Sequence, residues 1–231
     1  TILTLLTIPP MATNMKPLYQ TVDYAAAYVL NPPVQVEPEE YTELDFAELD
    51  TLPKFDTETV APCVRTAHSE TRKWLKDIID KREPAHWLTM YGVPGCGKTM
   101  LAKLARHTLL QKEHKVQLWN WPRVWRKCLD GEWDILDHLI RLPILLLDDV
   151  GAEYTGTNKT AELNSARLYE IAEGRLGKWT LITSNLTTDQ MARSLGTRFV
   201  SRIFRGDSVV VDMTTAHDYS FRQWQLKQQN S

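Results

Sequence analysis

The segment GVPGCGKT, residues 92–99, has the residue types and spacing of a phosphate-binding loop, GxxxxGK[ST]. Its three glycines let the backbone turn tightly and bring N–H groups against phosphate oxygens. Lys98 supplies a mobile cation for the β- and γ-phosphates, and the Thr99 hydroxyl is a ligand for Mg²⁺. A Gly-rich turn that happens to precede lysine is the alternative, which an apolar run before the segment and a helical pattern after it disfavour. The predicted nucleotide-binding residues are Gly92, Val93, Pro94, Gly95, Cys96, Gly97, Lys98, Thr99 and Met100.

Two carboxylates follow the apolar run ILLL, and the first of them lies 49 residues beyond Thr99. Acids at the end of a buried strand cost free energy unless they serve a cation or a water molecule. Asp148 is therefore predicted to hold Mg²⁺ together with Thr99, and Asp149 to polarise the attacking water. A strand that meets a surface loop gives the same pattern, but the order of phosphate loop and acids favours the functional interpretation. Together the two motifs predict an ATPase that binds ATP and Mg²⁺.

A polar amide, Asn185, ends a later apolar run, LITSN. The carboxyl ends of parallel strands share one edge of a sheet, which predicts that Asn185 lies beside the carboxylates and bonds the water or the γ-phosphate. The alternative is that Asn185 caps the following turn, where asparagine is common.

The elements that position these residues are short apolar runs separated by amphipathic segments. The pattern is typical of a parallel sheet covered on both faces, and so of an α/β fold. The predicted strands are Trp87–Tyr91, Val116–Trp119, Ile144–Leu147, Trp179–Thr183 and Ser208–Val211. The predicted helices are one opening at Ser69 and stopped by Pro84, then Lys98–Gln111, Pro122–Leu129, Thr160–Arg175 and Thr188–Leu195.

The charge of the 231-residue chain is unevenly distributed, although the net value is only −2. Residues 1–60 are Pro-rich and carry a net charge of −8, whereas residues 61–231 carry +6. This predicts a partly disordered, partner-docking arm over 1–60 and an ATPase domain over 61–231. The composition excludes wholesale disorder and a uniformly basic nucleic-acid binder, and three widely spaced cysteines exclude a disulfide framework. No apolar run is long enough to span a membrane, so the expected location is the cytoplasm.

A segment of aromatic and basic residues, WNWPRVWRK, allows two interpretations. Its tryptophans at 119, 121 and 125 could stack on single-stranded nucleic acid, with Arg123, Arg126 and Lys127 at the phosphates. The same spacing also describes helix packing against a core.

The motifs GVPGCGKT, LLLDDVGAE, LYEIAEGR, ITSNL and SRIFRG occur in this order and resemble the DnaC/IstB branch of AAA+ ATPases, which includes replicative-helicase loaders and ATPase partners of transposases. The resemblance covers roughly residues 87–222. It implies a five-stranded core in the order 5-1-4-3-2, ATP-dependent homo-oligomers and contact with single-stranded DNA. About 20 residues follow Asp212, too few for the helical lid domain of most AAA+ proteins, and the branch resembles this chain in lacking that lid.

The resemblance also implies that Arg202 acts as an arginine finger on the ATP of a neighbouring subunit, with Arg205 as the substitute. A solvated basic helix face is the alternative. Arg222 matches a segment near the C-terminal end of proteins of this branch. The resemblance leaves two roles open for Arg222, sensing of the nucleotide or a surface ion pair. The second acid, Asp149, stands where many AAA+ proteins have glutamate, so hydrolysis is slow or Glu153 assists it.

The leading function is therefore an ATPase that loads a replicative helicase onto single-stranded DNA. One alternative is an IstB-like transposition ATPase that partners a transposase. Another is an adaptor that uses ATP for assembly with negligible turnover.

Overall fold

The computed structural model describes residues 61–153, 158–206 and 208–219. The predicted arm, residues 1–60, lies outside these ranges, and so does Arg222. The strands within the described ranges are β1 (Trp87–Gly92), β2 (Val116–Asn120), β3 (Ile144–Asp148), β4 (Trp179–Ser184) and β5 (Val209–Met213). The helices are α1 (Pro62–Ile79), α2 (Lys98–Gln111), α3 (Trp121–Leu129), α4 (Asp134–Arg141), α5 (Asn158–Gly174), α6 (Thr188–Ser194) and α7 (Thr197–Ile203).

The five strands form one parallel sheet in the order β2-β3-β4-β1-β5. This is the predicted order 5-1-4-3-2 read from the opposite edge, so the predicted fold class is confirmed. Asn120 pairs in register with Asp148 across β2 and β3. Because the strands are parallel, their carboxyl ends bring the phosphate loop and the residues that follow β3 and β4 to one edge of the sheet.

Both faces of the sheet are covered, which explains the continuous apolar runs. Along β3, Leu145 and Leu147 pack on one face with α3 to α7. Ile144 and Leu146 pack on the other face with α1 and α2. No helix among the described residues is long and apolar enough to cross a membrane.

Apart from shifts of one or two residues at other helix ends, the helices differ from the sequence prediction at three places. Helix α1 begins at Pro62 and not at Ser69, because proline is tolerated in a first helical turn and Val64 and Ala67 add buried positions. Helices α4 and α7, of eight and seven residues, were not predicted. Each spans only about two turns, too few for a clear 3.6-residue period.

Arg175 joins the helices to the sheet at the edge opposite the phosphate loop. Its buried guanidinium donates to the carbonyls of Leu139 and Leu142 at 2.8 Å and of Trp179 at 2.6 Å. Its Nε donates to the hydroxyl of Thr180 at 2.9 Å. Burial lowers the pKa of Arg175 to about 10. One side chain thereby satisfies carbonyls at the end of α4 and at the start of β4.

Candidate functional site

The phosphate loop connects the end of β1 to the start of α2, as the sequence predicts. Gly92 has φ = 145°, and a Cβ at this position would come within 2.3 Å of the carbonyl carbon of Met213. Only glycine fits this close approach between the loop and the end of β5. Gly97 precedes α2 with φ = 100°, a conformation that other residues rarely adopt. The positive end of α2 consequently faces the loop, where anions are stabilised.

Lys98 lies inside the loop, and the side chain is only 4% exposed. Its Nζ donates to the carbonyls of Gly92 at 2.9 Å and Val93 at 2.7 Å and lies 3.5 Å from Sγ of Cys96. The ammonium is therefore held within the curve of the backbone, where phosphate oxygens would meet it.

The Mg²⁺ ligands predicted from the sequence, Thr99 and Asp148, are in contact. The Thr99 hydroxyl donates to Oδ1 of Asp148 at 3.0 Å, and the Thr183 hydroxyl donates to the same oxygen at 2.5 Å. Burial raises the pKa of Asp148, and the nearby charge of Asp149 adds to this effect. The hydrogen bonds from Thr183 and Thr99 oppose it.

A hydroxyl and a carboxylate beside a phosphate loop fit Mg²⁺, which binds through one or two carboxylates, substrate phosphates and water. No group of three or more His, Cys, Asp or Glu side chains suited to a metal occurs in the described part of the chain.

Asp149 is held between two amides. Asn185 Nδ2 donates to its Oδ1 and Asn120 Nδ2 to its Oδ2, each at 3.3 Å. The backbone N–H of Asp149 donates to the Thr183 hydroxyl at 3.0 Å, and the residue has φ = 57°. The structure thus brings Asp149 and Asn185 together, as the sequence predicts. The sequence prediction missed Asn120, although it ends β2 just as Asn185 follows β4, and this shared position was the available signal.

Glu153 bonds to the turn after β3 and to helix α5. Its Oε2 accepts the backbone N–H of Gly151 and its Oε1 accepts Nδ2 of Asn164, both at 2.7 Å. The structure therefore gives Glu153 two internal partners, as it does Asp149.

Arg202 lies on α7 and is paired within its own chain. Its Nε donates to Oε1 of Glu173, and its guanidinium lies 5.6 Å from the centre of the Tyr169 ring. The hydrogen bond from Arg202 lowers the pKa of the Glu173 carboxyl. Arg205, the substitute finger, is exposed. The cis pairing neither requires nor excludes contact with a second protomer.

The interpretation of the tryptophans as base-stacking residues is wrong. Trp119, Trp121 and Trp125 are 5%, 0% and 2% exposed and belong to the core cluster beneath α3. Their four-residue spacing places the two helical rings on the buried face, 6.4 Å apart between centroids. Arg123 and Arg126 remain on the exposed face of α3.

The comparisons with known proteins rest on structure, since no protein-family model and no curated protein matches the sequence. A structure of DnaI has 22% identity and a TM-score of 0.51, with 62% of this chain and 80% of that chain covered. AMPPCP-bound DnaA from Aquifex aeolicus has 20% identity and a TM-score of 0.53, with coverage of 74% and 53%. A DNA replication initiation factor has 19% identity and a TM-score of 0.54, with coverage of 79% and 54%.

The chain has the AAA+ fold. The sheet order and the flanking helices agree with these neighbours. This chain spans about half the length of the second and third of these structures. At such low identity the likeness establishes the AAA+ fold alone. The activity of this chain is argued below from the geometry of the site.

Proposed function

We propose that this chain is an ATPase of DNA replication that loads a replicative helicase onto single-stranded DNA. The observation that carries the ATPase assignment is the meeting of phosphate loop and acids at one sheet edge, where Thr99 donates to Asp148 at 3.0 Å. Resemblance in the ordered motifs, and structural likeness to DnaI, support the replication assignment. A replication role places the protein in the cytoplasm.

In this proposal, residues 92–100 bind the nucleotide. Lys98 moves its ammonium from the carbonyls of Gly92 and Val93 towards the β- and γ-phosphates. Thr99 and Asp148 hold Mg²⁺, which neutralises charge on the phosphates. Asp148 has its Oδ1 engaged by two hydroxyls, so its second oxygen is the one that remains for the metal.

Asp149 then acts as the general base on the attacking water, and Asn185 orients that carboxylate or the water. The two amide donors fix the carboxylate in one orientation. Aspartate is one methylene shorter than the glutamate of many AAA+ proteins, and we expect slow turnover.

Arg202 supplies the charge that completes the site of a neighbouring protomer in an ATP-dependent homo-oligomer. A guanidinium delivered in trans stabilises the transferring phosphoryl group. Glu173 and Tyr169 hold Arg202 in the single protomer, so assembly must exchange or extend these contacts.

The acidic arm, residues 1–60, recruits the protein partner, because its net charge of −8 repels DNA phosphates. The body, residues 61–231, carries +6 and meets the single-stranded DNA. The exposed Arg123 and Arg126 are candidate phosphate contacts, whereas the buried tryptophans are not.

The test is steady-state ATP hydrolysis by the full chain with and without single-stranded DNA, with Asp149→Asn as the control. We expect hydrolysis by the wild type, and retained nucleotide affinity with slower turnover in Asp149→Asn, because an amide is a far weaker proton acceptor. Binding of ATP without hydrolysis would support the adaptor alternative and contradict the ATPase assignment.

The partner is tested by capture on residues 11–60 with purified replicative helicase and purified transposase as separate probes. Capture of the helicase supports the loader. Capture of the transposase alone would overturn helicase loading in favour of a transposition ATPase.

A further inference from the structure

The turn after β3, residues 149–152, is held in a conformation that its sequence does not favour. Asp149 has φ = 57°, a left-handed conformation that persists in a non-glycine residue only when its surroundings enforce it. Two of the enforcing bonds go to β4. The N–H of Asp149 donates to the Thr183 hydroxyl, and the N–H of Val150 donates to the Thr183 carbonyl at 2.9 Å.

The third bond comes from Glu153, whose Oε2 accepts the N–H of Gly151 at 2.7 Å. Glu153 is in turn fixed by Asn164 on α5, which donates Nδ2 to Oε1 at 2.7 Å. The Oδ1 of Asn164 accepts the indole N–H of Trp121 at 3.1 Å. Both Asn164 and Trp121 are 0% exposed, so water does not substitute for either partner.

These contacts close into a ring. Trp121 follows Asn120 directly in the chain, and Asn120 donates to Oδ2 of Asp149 at 3.3 Å. The start of α3 therefore holds Asp149 from one side through Asn120. From the other side it holds the turn through Asn164 and Glu153. The two routes fix the carboxylate and the backbone that carries it.

We propose that Glu153 and Asn164 are positioning residues for ATP hydrolysis, which hold the turn that presents Asp149 to the attacking water. The inference rests on the proposed ATPase function. Neither side chain needs to touch the nucleotide, and both act through the N–H of Gly151. Misplacement of a catalytic group by about 1 Å can cost about 10²-fold in rate, so the partly buried bond from the Gly151 N–H to Glu153 matters for the position of Asp149.

The direction of each hydrogen bond suggests a decisive set of variants. Glu153→Gln leaves an amide facing the amide of Asn164, and Asn164→Asp leaves a carboxylate facing the carboxylate of Glu153. The double substitution exchanges donor and acceptor, so that the new amide donates to the new carboxylate. The Gly151 N–H and the Trp121 indole N–H each still find an acceptor.

The experiment measures kcat, KM and the exchange rate of the Gly151 amide proton in both single variants and the double variant. We expect kcat to fall about tenfold or more in each single variant, a loss confined to the transition state, with KM within about twofold. The exchange rate of the Gly151 amide proton rises in the single variants. The double variant restores both kcat and this exchange rate. Glu162→Gln, on the exposed face of α5, is the matched control and leaves them unchanged.

Values of kcat within twofold of wild type in the single variants, or a double variant no better than Glu153→Gln, would overturn the inference. If Asn164→Asp does not fold, the comparison of Glu153→Gln with the double variant still decides. A wild-type chain that does not hydrolyse ATP would overturn the proposed function and this inference together. Wild-type turnover that survives Glu153→Gln would overturn the inference alone.

Discussion

Asn120 joins a helix cap to the candidate general base, because its side chain bonds in two directions. Its Nδ2 donates to Oδ2 of Asp149 at 3.3 Å, while its Oδ1 accepts the backbone N–H of Arg123 at 3.4 Å. The second bond is the N-cap of α3. A displacement of α3 therefore changes the hydrogen bonding of the Asp149 carboxylate directly.

Two substitutions of Asn120 separate these roles. Asn120→Asp keeps a good N-cap but sets a second carboxylate against Asp149, and we expect hydrolysis to slow about tenfold, or about 1.4 kcal/mol. Asn120→Ala loses the cap and should cost about 1 kcal/mol of unfolding free energy. Urea unfolding and single-turnover hydrolysis measure the two effects. An Asn120→Ala variant as stable as the wild type would contradict the capping role.

Lys98→Ala should abolish binding of a fluorescent ATP analogue. The Lys98 ammonium is buried and donates to two carbonyls. We therefore also expect a loss of about 1–3 kcal/mol of stability, because buried acceptors are left unsatisfied. Lys112→Ala, at an exposed position after α2, is the control and should change neither property. Undiminished analogue binding by a folded Lys98→Ala variant would remove the basis of the nucleotide site.

Asp148→Asn should weaken Mg²⁺-dependent nucleotide binding while stabilising the free protein at neutral pH. The folded-state pKa of Asp148 is raised, so the folded state favours the protonated carboxyl. That contribution to stability is present at low pH and is lost as the pH rises through the raised pKa. Asparagine mimics the neutral form and escapes this loss.

The raised pKa of Asp148 also predicts how Mg²⁺-dependent nucleotide binding varies with pH. Since protons compete with Mg²⁺ for the carboxylate, affinity should fall on acidification from a higher pH than for an aspartate of ordinary pKa 3.8. We would measure Mg²⁺ affinity as a function of pH for the wild type and for Asp148→Asn. Since protonation of the nucleotide affects both proteins equally, the difference between the two profiles isolates the effect of Asp148. Identical pH profiles for the two proteins would argue against Asp148 as a metal ligand.

Arg202→Ala should bind ATP but hydrolyse it poorly, since an arginine finger can be worth about 10³–10⁵ in rate. Mixing Arg202→Ala with Lys98→Ala subunits pairs an intact phosphate loop with an intact arginine across some interfaces. We expect hydrolysis in the mixture, although neither variant hydrolyses alone. No recovery in mixtures that demonstrably co-assemble would indicate that Arg202 acts within its own protomer, where it now contacts Glu173.

Arg175→Met should destabilise the fold by about 1–3 kcal/mol, because it leaves unsatisfied the carbonyls to which the guanidinium now donates. Arg175→Lys keeps a positive charge with fewer hydrogen-bond donors. Its free energy of unfolding should therefore lie between those of the wild type and Arg175→Met. Chemical unfolding measures the series, with the exposed Arg193→Met as control. A loss below 1 kcal/mol in Arg175→Met would show that water replaces the guanidinium.

The sequence by itself determined the loop between β1 and α2, the acids at the end of β3 and the five strands. These are local signals: GxxxxGK[ST] requires only adjacent residues, and buried parallel strands are read as short apolar runs. Helix α2 has the predicted bounds, Lys98–Gln111, because its start is fixed by the loop. Asn185 was found by the same logic, since strand ends gather at one sheet edge.

The tertiary structure alone decided which polar side chains meet. Asn120 and Asp149 lie 29 residues apart, and Trp121 and Asn164 lie 43 apart, so no local period connects them. The burial of Trp121 and Trp125 depended on which face of α3 turns inward, and the pairing of Arg202 depended on the packing of α7 against α5. Spacing along a chain limits which groups a helix or strand can present, and the packing of those elements determines what each group contacts.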